Sequence, residues 1–186
     1  MKVLFIGDIV GRRARNYAQE KIVELKTKLK LDAIIVNVEN SAGGFGVTPS
    51  ICDDFFRVGA DVLTTGNHIW DKREIISYIT KNDRLLRPLN MIEGTPGLGM
   101  TTVDLDAGKI GVANIMTNLF MQKTDNAFDK IPDILENLKL KKNVDFSLVD
   151  IHGEASSEKM ALGNALDGKV TAVVGTHTHV PTADYQ

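Results

Sequence analysis

Lys2-Val3-Leu4-Phe5-Ile6-Gly7-Asp8 is a short apolar run that ends on a carboxylate, and the way it is continued decides the fold. The run reads as a strand from Lys2 to Gly7. Arg13 to Leu29 follows with apolar or small residues at 14, 18, 22, 25 and 29, the spacing of one helical face. Ala33 to Val38 then repeats the strand pattern. Alternation of this kind from one end of the chain to the other is the signature of an α/β fold rather than of separate α and β domains.

Thr48 with Pro49 behind it opens a helix that Gly59 closes, and Val62 to Thr65 is a third strand. Asp71 followed by Glu74 fits an N-cap with an acidic third position, which predicts a helix from Lys72 to Ile79. A Gly/Pro-rich loop runs from Pro88 to Gly99. Thr101 to Leu105 and Lys109 to Ile115 flank Asp106-Ala107-Gly108, the pattern of a hairpin with a three-residue connection. It introduces an antiparallel pair into an otherwise parallel pattern. A polar stretch, Asn118 to Asp129, leads to a helix at Ile131 to Leu140, a strand at Phe146 to Ile151, a helix at Ser157 to Asn164 and a strand at Thr171 to Gly175.

Composition bounds the function. The chain has 186 residues, about one domain by length, and is 43% hydrophobic, enough for a real core. Lys+Arg 22 against Asp+Glu 24 leaves a net charge of −2, so no global positive field exists to hold a nucleic-acid backbone or an anionic membrane. The cationic cluster Arg12, Arg13 and Arg15 follows the first apolar run, the wrong order for a signal peptide. No run approaches the roughly 18 apolar residues of a membrane-spanning helix. Cys52 is the only cysteine, which excludes an internal disulfide or thiolate cluster, suits a reducing cytoplasm and reads as a small buried residue.

The side chains able to bind metal or move protons stand just past the strands. Asp8 follows the first, Glu39 and Asn40 the second, Asn67 and His68 the third, His152 the strand at 146–151, and His177 and His179 the last. In open α/β sheets the ligand site lies outside the carboxyl ends of the strands, so these residues are expected to converge on one rim. All four histidines of the chain belong to this set. Singly, each has a plainer reading: Asp8 as a helix cap, His152 as a histidine satisfied by backbone, Gly66-Asn67 as a turn. The pair His177 and His179 is the sharpest signal, because alternate residues of an extended segment point the same way. Carboxylate, carboxamide and imidazole together suit Mn, Fe or Zn better than Ca or Mg. Their number exceeds one tetrahedral site and fits two ions bridged by a shared carboxylate, the arrangement of two-metal phosphate-ester hydrolases.

Gly7-Asp8, Glu39-Asn40, Gly66-Asn67-His68, His152 and Gly175 to His179, in that order, resemble the calcineurin-like metallophosphoesterases, and most closely their YmdB branch of bacterial phosphodiesterases. Phe5 to Gly11, Gly66 to Lys72, Glu93 to Gly97 and Ala172 to Asp184 extend the likeness over almost the whole chain. The resemblance implies a layered α/β fold with mixed β-sheets flanked by helices, a single domain over residues 1–186, and two divalent transition-metal ions, iron or manganese ahead of zinc. It implies that Asp8, Glu39, Asn40 and His179 hold one metal, that Glu39, Asn67, His152 and His177 hold the other with Glu39 bridging, and that His68 is the general acid. The reaction implied is hydrolysis of small phosphodiesters such as 2′,3′- or 3′,5′-cyclic nucleotides by a metal-activated hydroxide. The broader superfamily places a histidine two residues after the first aspartate, where this chain has Val10, and Asn40 supplies that contact in the YmdB branch. Relatives run on past the double-histidine segment, so their closing strands, and a contact between copies in a homo-oligomer, are expected to have no counterpart here.

Other features weigh less. Gly43-Gly44-Phe45-Gly46 fits a pocket wall as well as a plain crossover loop, and it lacks the ending of a P-loop. Arg12 and Arg13 stand where they could reach a substrate phosphate from the first strand-to-helix loop, but read better as solvated helix charges, and Ser156 and Ser157 near His152 do not make a triad. A nuclease or phosphoprotein phosphatase on the same centre is the second enzyme reading, and the near-neutral charge and lack of a basic stripe argue against a long nucleic-acid groove. The reading from another class is a metal- and nucleotide-sensing regulatory protein, which has no need of a proton donor.

Overall fold

The computed structural model describes residues 1–183 and 185. The resemblance-bearing stretch that ends at Asp184 therefore closes just outside the described residues. Strand β1 (Val3–Ile6), helix α1 (Gly11–Leu29), strand β2 (Ala33–Asn37), helix α2 (Pro49–Arg57) and strand β3 (Val62–Thr64) form the first half. They make a parallel three-stranded sheet in the order β1-β2-β3. A 3₁₀ turn at Ile69–Asp71 and helix α3 (Ile75–Ile79) follow. The second half has strands β4 (Met100–Leu105) and β5 (Gly108–Met116), helix α4 (Ile131–Asn137), strand β6 (Phe146–His152), helix α5 (Ser156–Leu166) and strand β7 (Ala172–Thr176). Its four-stranded sheet has the order β4-β5-β6-β7, antiparallel only between β4 and β5.

The two sheets face each other, with helices on both outer sides. Along β2 the alternation of a strand sorts the side chains: Ile34 and Val36 pack towards α1 and α2 with Ile22, Cys52 and Phe55, whereas Ala33 and Ile35 face the other sheet. There they meet Ile110 and Val112 of β5 and Leu148 of β6. On the far side Ala113, Ile115, Val149 and Ile151 pack against Ile134 of α4 and Leu162 and Leu166 of α5. Towards the carboxyl ends the face between the sheets turns polar: Asn37, Thr64, Asp150, His152 and Thr176 are all buried there. Asn37 Nδ2 (3.1 Å) and Thr64 Oγ1 (2.6 Å) donate across to Asp150 Oδ2, tying the sheets together at the level of the site.

Three expectations are corrected. The connection between β4 and β5 has two residues, Asp106 and Ala107, because Gly108 pairs directly with Leu105 at φ +117°, a conformation that favours glycine. The helix foreseen from Lys72 is shortened to Ile75–Ile79, with Glu74 as a cap that makes no side-chain bond, since Asp71 is engaged elsewhere. The helix foreseen to Leu140 ends at Asn137. Thr48 caps α2 as expected, accepting from Ile51 N–H (3.3 Å), and Cys52 is buried. No helix among the described residues is long and apolar enough to cross a membrane.

Ile35 is fully buried between the sheets. Ile35→Ala is expected to destabilise the protein by about 2–5 kcal/mol, read as a shift in the urea midpoint, because a cavity there is walled by two sheets that cannot both close on it.

Candidate metal centre

The eight residues singled out at strand ends form one connected cluster at the carboxyl rim of both sheets. Glu39, two residues past β2, lies at its middle and is fully buried. Its Oε1 accepts from Asn40 Nδ2 (3.0 Å) and lies 3.1 Å from His152 Nε2. Its Oε2 accepts from the His68 backbone N–H (3.3 Å). His152 Nε2 is also 3.0 Å from Asn67 Oδ1 and 3.1 Å from His177 Nδ1. On the other flank, Asp8 Oδ2 accepts from the His177 backbone N–H (2.7 Å) and lies 3.8 Å from His179 Nε2, which is 3.3 Å from Asn40 Nδ2.

The two histidines of the last segment arrive by a route that strand alternation does not foretell. β7 ends at Thr176, and His177 (φ +95°) and His179 (φ +55°) both adopt left-handed backbone, so their approach to one site comes from a turn and not from an extended segment. Non-glycine residues in such conformations are strained by about 1–3 kcal/mol each and persist where surrounding bonds hold them. Here the hold is the bond from His177 N–H to Asp8.

Electrostatics follows from burial and proximity. Burial pushes the Glu39 carboxyl up, but the hydrogen bond and charge of His152 outweigh it and leave the group below its ordinary range. Burial depresses His152, and Glu39 more than reverses this, so its imidazole is raised. Burial and the neighbouring His152 both lower His177. Burial drives Asp150 up to about 6, against the donors that favour its charged form.

The donor chemistry fits a cation. Four atoms with lone pairs, Glu39 Oε1, Asn67 Oδ1, His152 Nε2 and His177 Nδ1, crowd one point, and one hydrogen on Nε2 can serve only one of the other three. Ligand atoms of Glu39, His152 and His177 lie within 4.8 Å of one another, as a shared metal requires. On the second flank Asp8 Oδ1 and Asn40 Oδ1 are buried without a partner among the described residues, which a bound cation would correct.

Several neighbours of the cluster carry no clear signal in the sequence. Asp71 Oδ2 accepts from His68 Nδ1 (2.8 Å), so the expected helix cap is instead a partner of the candidate acid. Glu154 Oε2 stands 3.2 Å from His177 Nε2, leaving Nδ1 towards the cluster. Phe45 is an exposed aromatic whose ring centroid is 4.9 Å from that of His68, which places the Gly43 to Gly46 loop at the mouth of the site. Gly66 has the look of ordinary turn chemistry, yet a Cβ there would stand 2.3 Å from Glu39 Oε2 and from His152 Nε2. Arg12 and Arg13 are exposed on α1, as solvated charges are.

Two facing sheets clad in helices, with an oxygen- and nitrogen-rich donor cluster at the strand ends, define a metallophosphoesterase-type protein. Residues 4–186 match the model of the YmdB-like protein family. The chain is 44% identical over 184 residues to the 2′,3′-cyclic-nucleotide 2′-phosphodiesterase of Bacillus subtilis (strain 168), covering 99% of this chain and 69% of that protein. A crystal structure of a hypothetical protein from Thermus thermophilus superposes with a TM-score of 0.91 at 35% identity, over 100% of this chain and 71% of that one. A crystal structure of a novel phosphatase from Mycoplasma pneumoniae gives 0.87 at 33%, over 99% and 66%. The chain belongs to the YmdB-like family, spans about two thirds of the length of these relatives, and is by homology a hydrolase of the phosphodiesterase/phosphatase class.

Gly66→Ala tests the packing of the centre. It is expected to leave a folded protein with metal affinity weakened by about tenfold or more, the scale seen when ligand support is disturbed. Metal content after dialysis, set beside the thermal unfolding curve, checks both halves.

Proposed function

We propose that the protein is a metal-dependent phosphodiesterase acting on small phosphodiesters such as 2′,3′- or 3′,5′-cyclic nucleotides. The observation that carries this reading is His68, a partly exposed imidazole anchored by its backbone to the buried Glu39 and by its ring to Asp71. A proton donor has a use beside such a cluster only if a bond is broken there. Support for the substrate class comes from the Bacillus subtilis relative, whose name is that of a 2′,3′-cyclic-nucleotide phosphodiesterase.

Asp8, Glu39, Asn40 and His179 would hold one divalent cation, and Glu39, Asn67, His152 and His177 the other; Mn, Fe and Zn all suit this mixed oxygen and nitrogen set, and the resemblance to the YmdB branch favours iron or manganese. When bound, such a pair supplies positive charge for the phosphoryl oxygens and acidity for an attacking water. The remaining work falls to the chain's own groups. Asp71 takes the Nδ1–H of His68 and fixes the ring, so that Nε2 is the nitrogen that carries the mobile proton. From there it protonates the departing alkoxide. Phe45, beside His68 at the rim, offers an aromatic face to a base and narrows the mouth to small substrates.

His68→Ala is expected to keep its metal and to lose about 10²–10⁴-fold in kcat on a cyclic nucleotide, whose leaving group needs a proton. It should lose far less on a bis-aryl phosphodiester with an acidic phenol. Equal loss on both would remove the general-acid role. Chelation should abolish both activities in the unaltered protein, and metal-independent cleavage would sink the whole assignment. A folded, metal-loaded protein that binds cyclic nucleotides without cleaving any diester would favour the sensing role.

A further inference from the structure

Asp150 lies on β6 two residues before His152 and is fully buried, and none of the steps above uses it. Its neighbours are arranged with a direction. The Asn37 amide can only donate to Asp150 Oδ2 (3.1 Å), and Thr64 Oγ1 (2.6 Å) closes on the same oxygen. Thr176 Oγ1, on β7, is 2.7 Å from Asp150 Oδ1 and 3.0 Å from His152 Nδ1. A hydroxyl has one hydrogen. If it is given to the carboxylate, the oxygen can only accept from the imidazole.

We propose that Asp150 and Thr176 are a positioning relay for His152: Thr176 donates to Asp150 and accepts from His152 Nδ1–H, which leaves Nε2 as the bare nitrogen beside Glu39, Asn67 and His177, where these residues would hold a metal. This rests on the reading of His152 as a ligand. A neutral imidazole binds metal through one nitrogen only, and the bond made by the other decides which. His177 has a carboxylate, Glu154, at its outer nitrogen, and His68 has Asp71. His152, fully enclosed between the sheets, reaches its carboxylate through a hydroxyl. β6 and β7 set this up by register, since His152 pairs with Thr176. The relay therefore joins the ends of two neighbouring strands and has no flexible part.

The test compares the unaltered protein with Thr176→Val, Thr176→Ser, Asp150→Asn and His152→Ala, each stripped and titrated with Zn²⁺ against a chromophoric chelator. Thr176→Val keeps the shape and removes the hydroxyl, and one zinc equivalent is expected to weaken about 10–100-fold. Thr176→Ser should restore it. Asp150→Asn should weaken it as well, because its amide either opposes the Asn37 donor or turns the Thr176 hydroxyl round to donate to His152 Nδ1. In the zinc-loaded protein, ¹⁵N-resolved ring spectra should place the His152 proton on Nδ1, shifted downfield by its hydroxyl partner in the unaltered and Ser forms and moved upfield in Thr176→Val. Unaltered zinc affinity in both Thr176→Val and Asp150→Asn, beside a loss in His152→Ala, would overturn the relay alone. Full zinc binding by His152→Ala would overturn its premise. Should Asp150→Asn fail to fold, the Val and Ser pair decides.

Discussion

Asp150 is the constraint on which the remainder of the structure depends. It is a carboxylate with no access to solvent at the meeting of two sheets, and the bonds to it come from Asn37 on β2, Thr64 on β3 and Thr176 on β7. Taking a charge out of water costs several kcal/mol unless donors replace the water. Three donors from three strands do so only when both sheets stand at one relative height. That requirement fixes the strand ends against each other, and Glu39, Asn67 and His177 each lie within three residues of one of those donors. Four of the five strand ends that make up the rim, those of β2, β3, β6 and β7, thus acquire one geometry. The apolar half of the same face, with Ile35, Ile110, Val112 and Leu148, supplies the adhesion but has no such directional demand.

Much of this is legible in the sequence, and for a simple reason. Strands betray themselves by short apolar runs, and a polar or titratable residue directly after such a run is forced to the sheet rim whichever strands become neighbours. Asp8, Glu39, Asn67, His152 and His177 can therefore be grouped without knowing the strand order. What cannot be read is whatever depends on that order. Whether β1 to β3 continue into β4 to β7 or turn to face them leaves the alternation along each strand unchanged, so the split into two sheets is invisible. Asp150 looks like a plain polar interruption of a mostly apolar strand, and its partners are 113, 86 and 26 residues away. Gly66 carries an ordinary turn signature, while its real requirement is the space that Glu39 and His152 occupy.

Asp71 and the double-histidine segment show a different limit. An aspartate three residues before a glutamate is a sound N-cap pattern, but the same spacing lets Asp71 reach back to His68, and a carboxylate with a histidine in reach gains more from that bond than from an exposed helix terminus. Local pattern fixes the residue's neighbourhood and tertiary context chooses its partner. In Thr176 to His179 the period-two rule leads to the right convergence for the wrong reason, because both histidines leave the strand conformation.

That departure bears on how the site and the fold share their free energy. Left-handed backbone at His177 and His179 and the Asp8 and Asn40 oxygens left unpartnered among the described residues are all unfavourable in isolation. They stand together at one rim, which the rest of the core is packed well enough to tolerate. Each is also a feature that bound cations would convert from a cost into a contact: the bare oxygens gain partners, and the crowded lone pairs gain the charge they lack. Cations bound there would draw their affinity partly from strain already present in the fold. Residues that held them would need rigid support behind them, and the β6 and β7 strand ends, joined by the contacts of Thr176 Oγ1 with Asp150 and His152, are where such support lies.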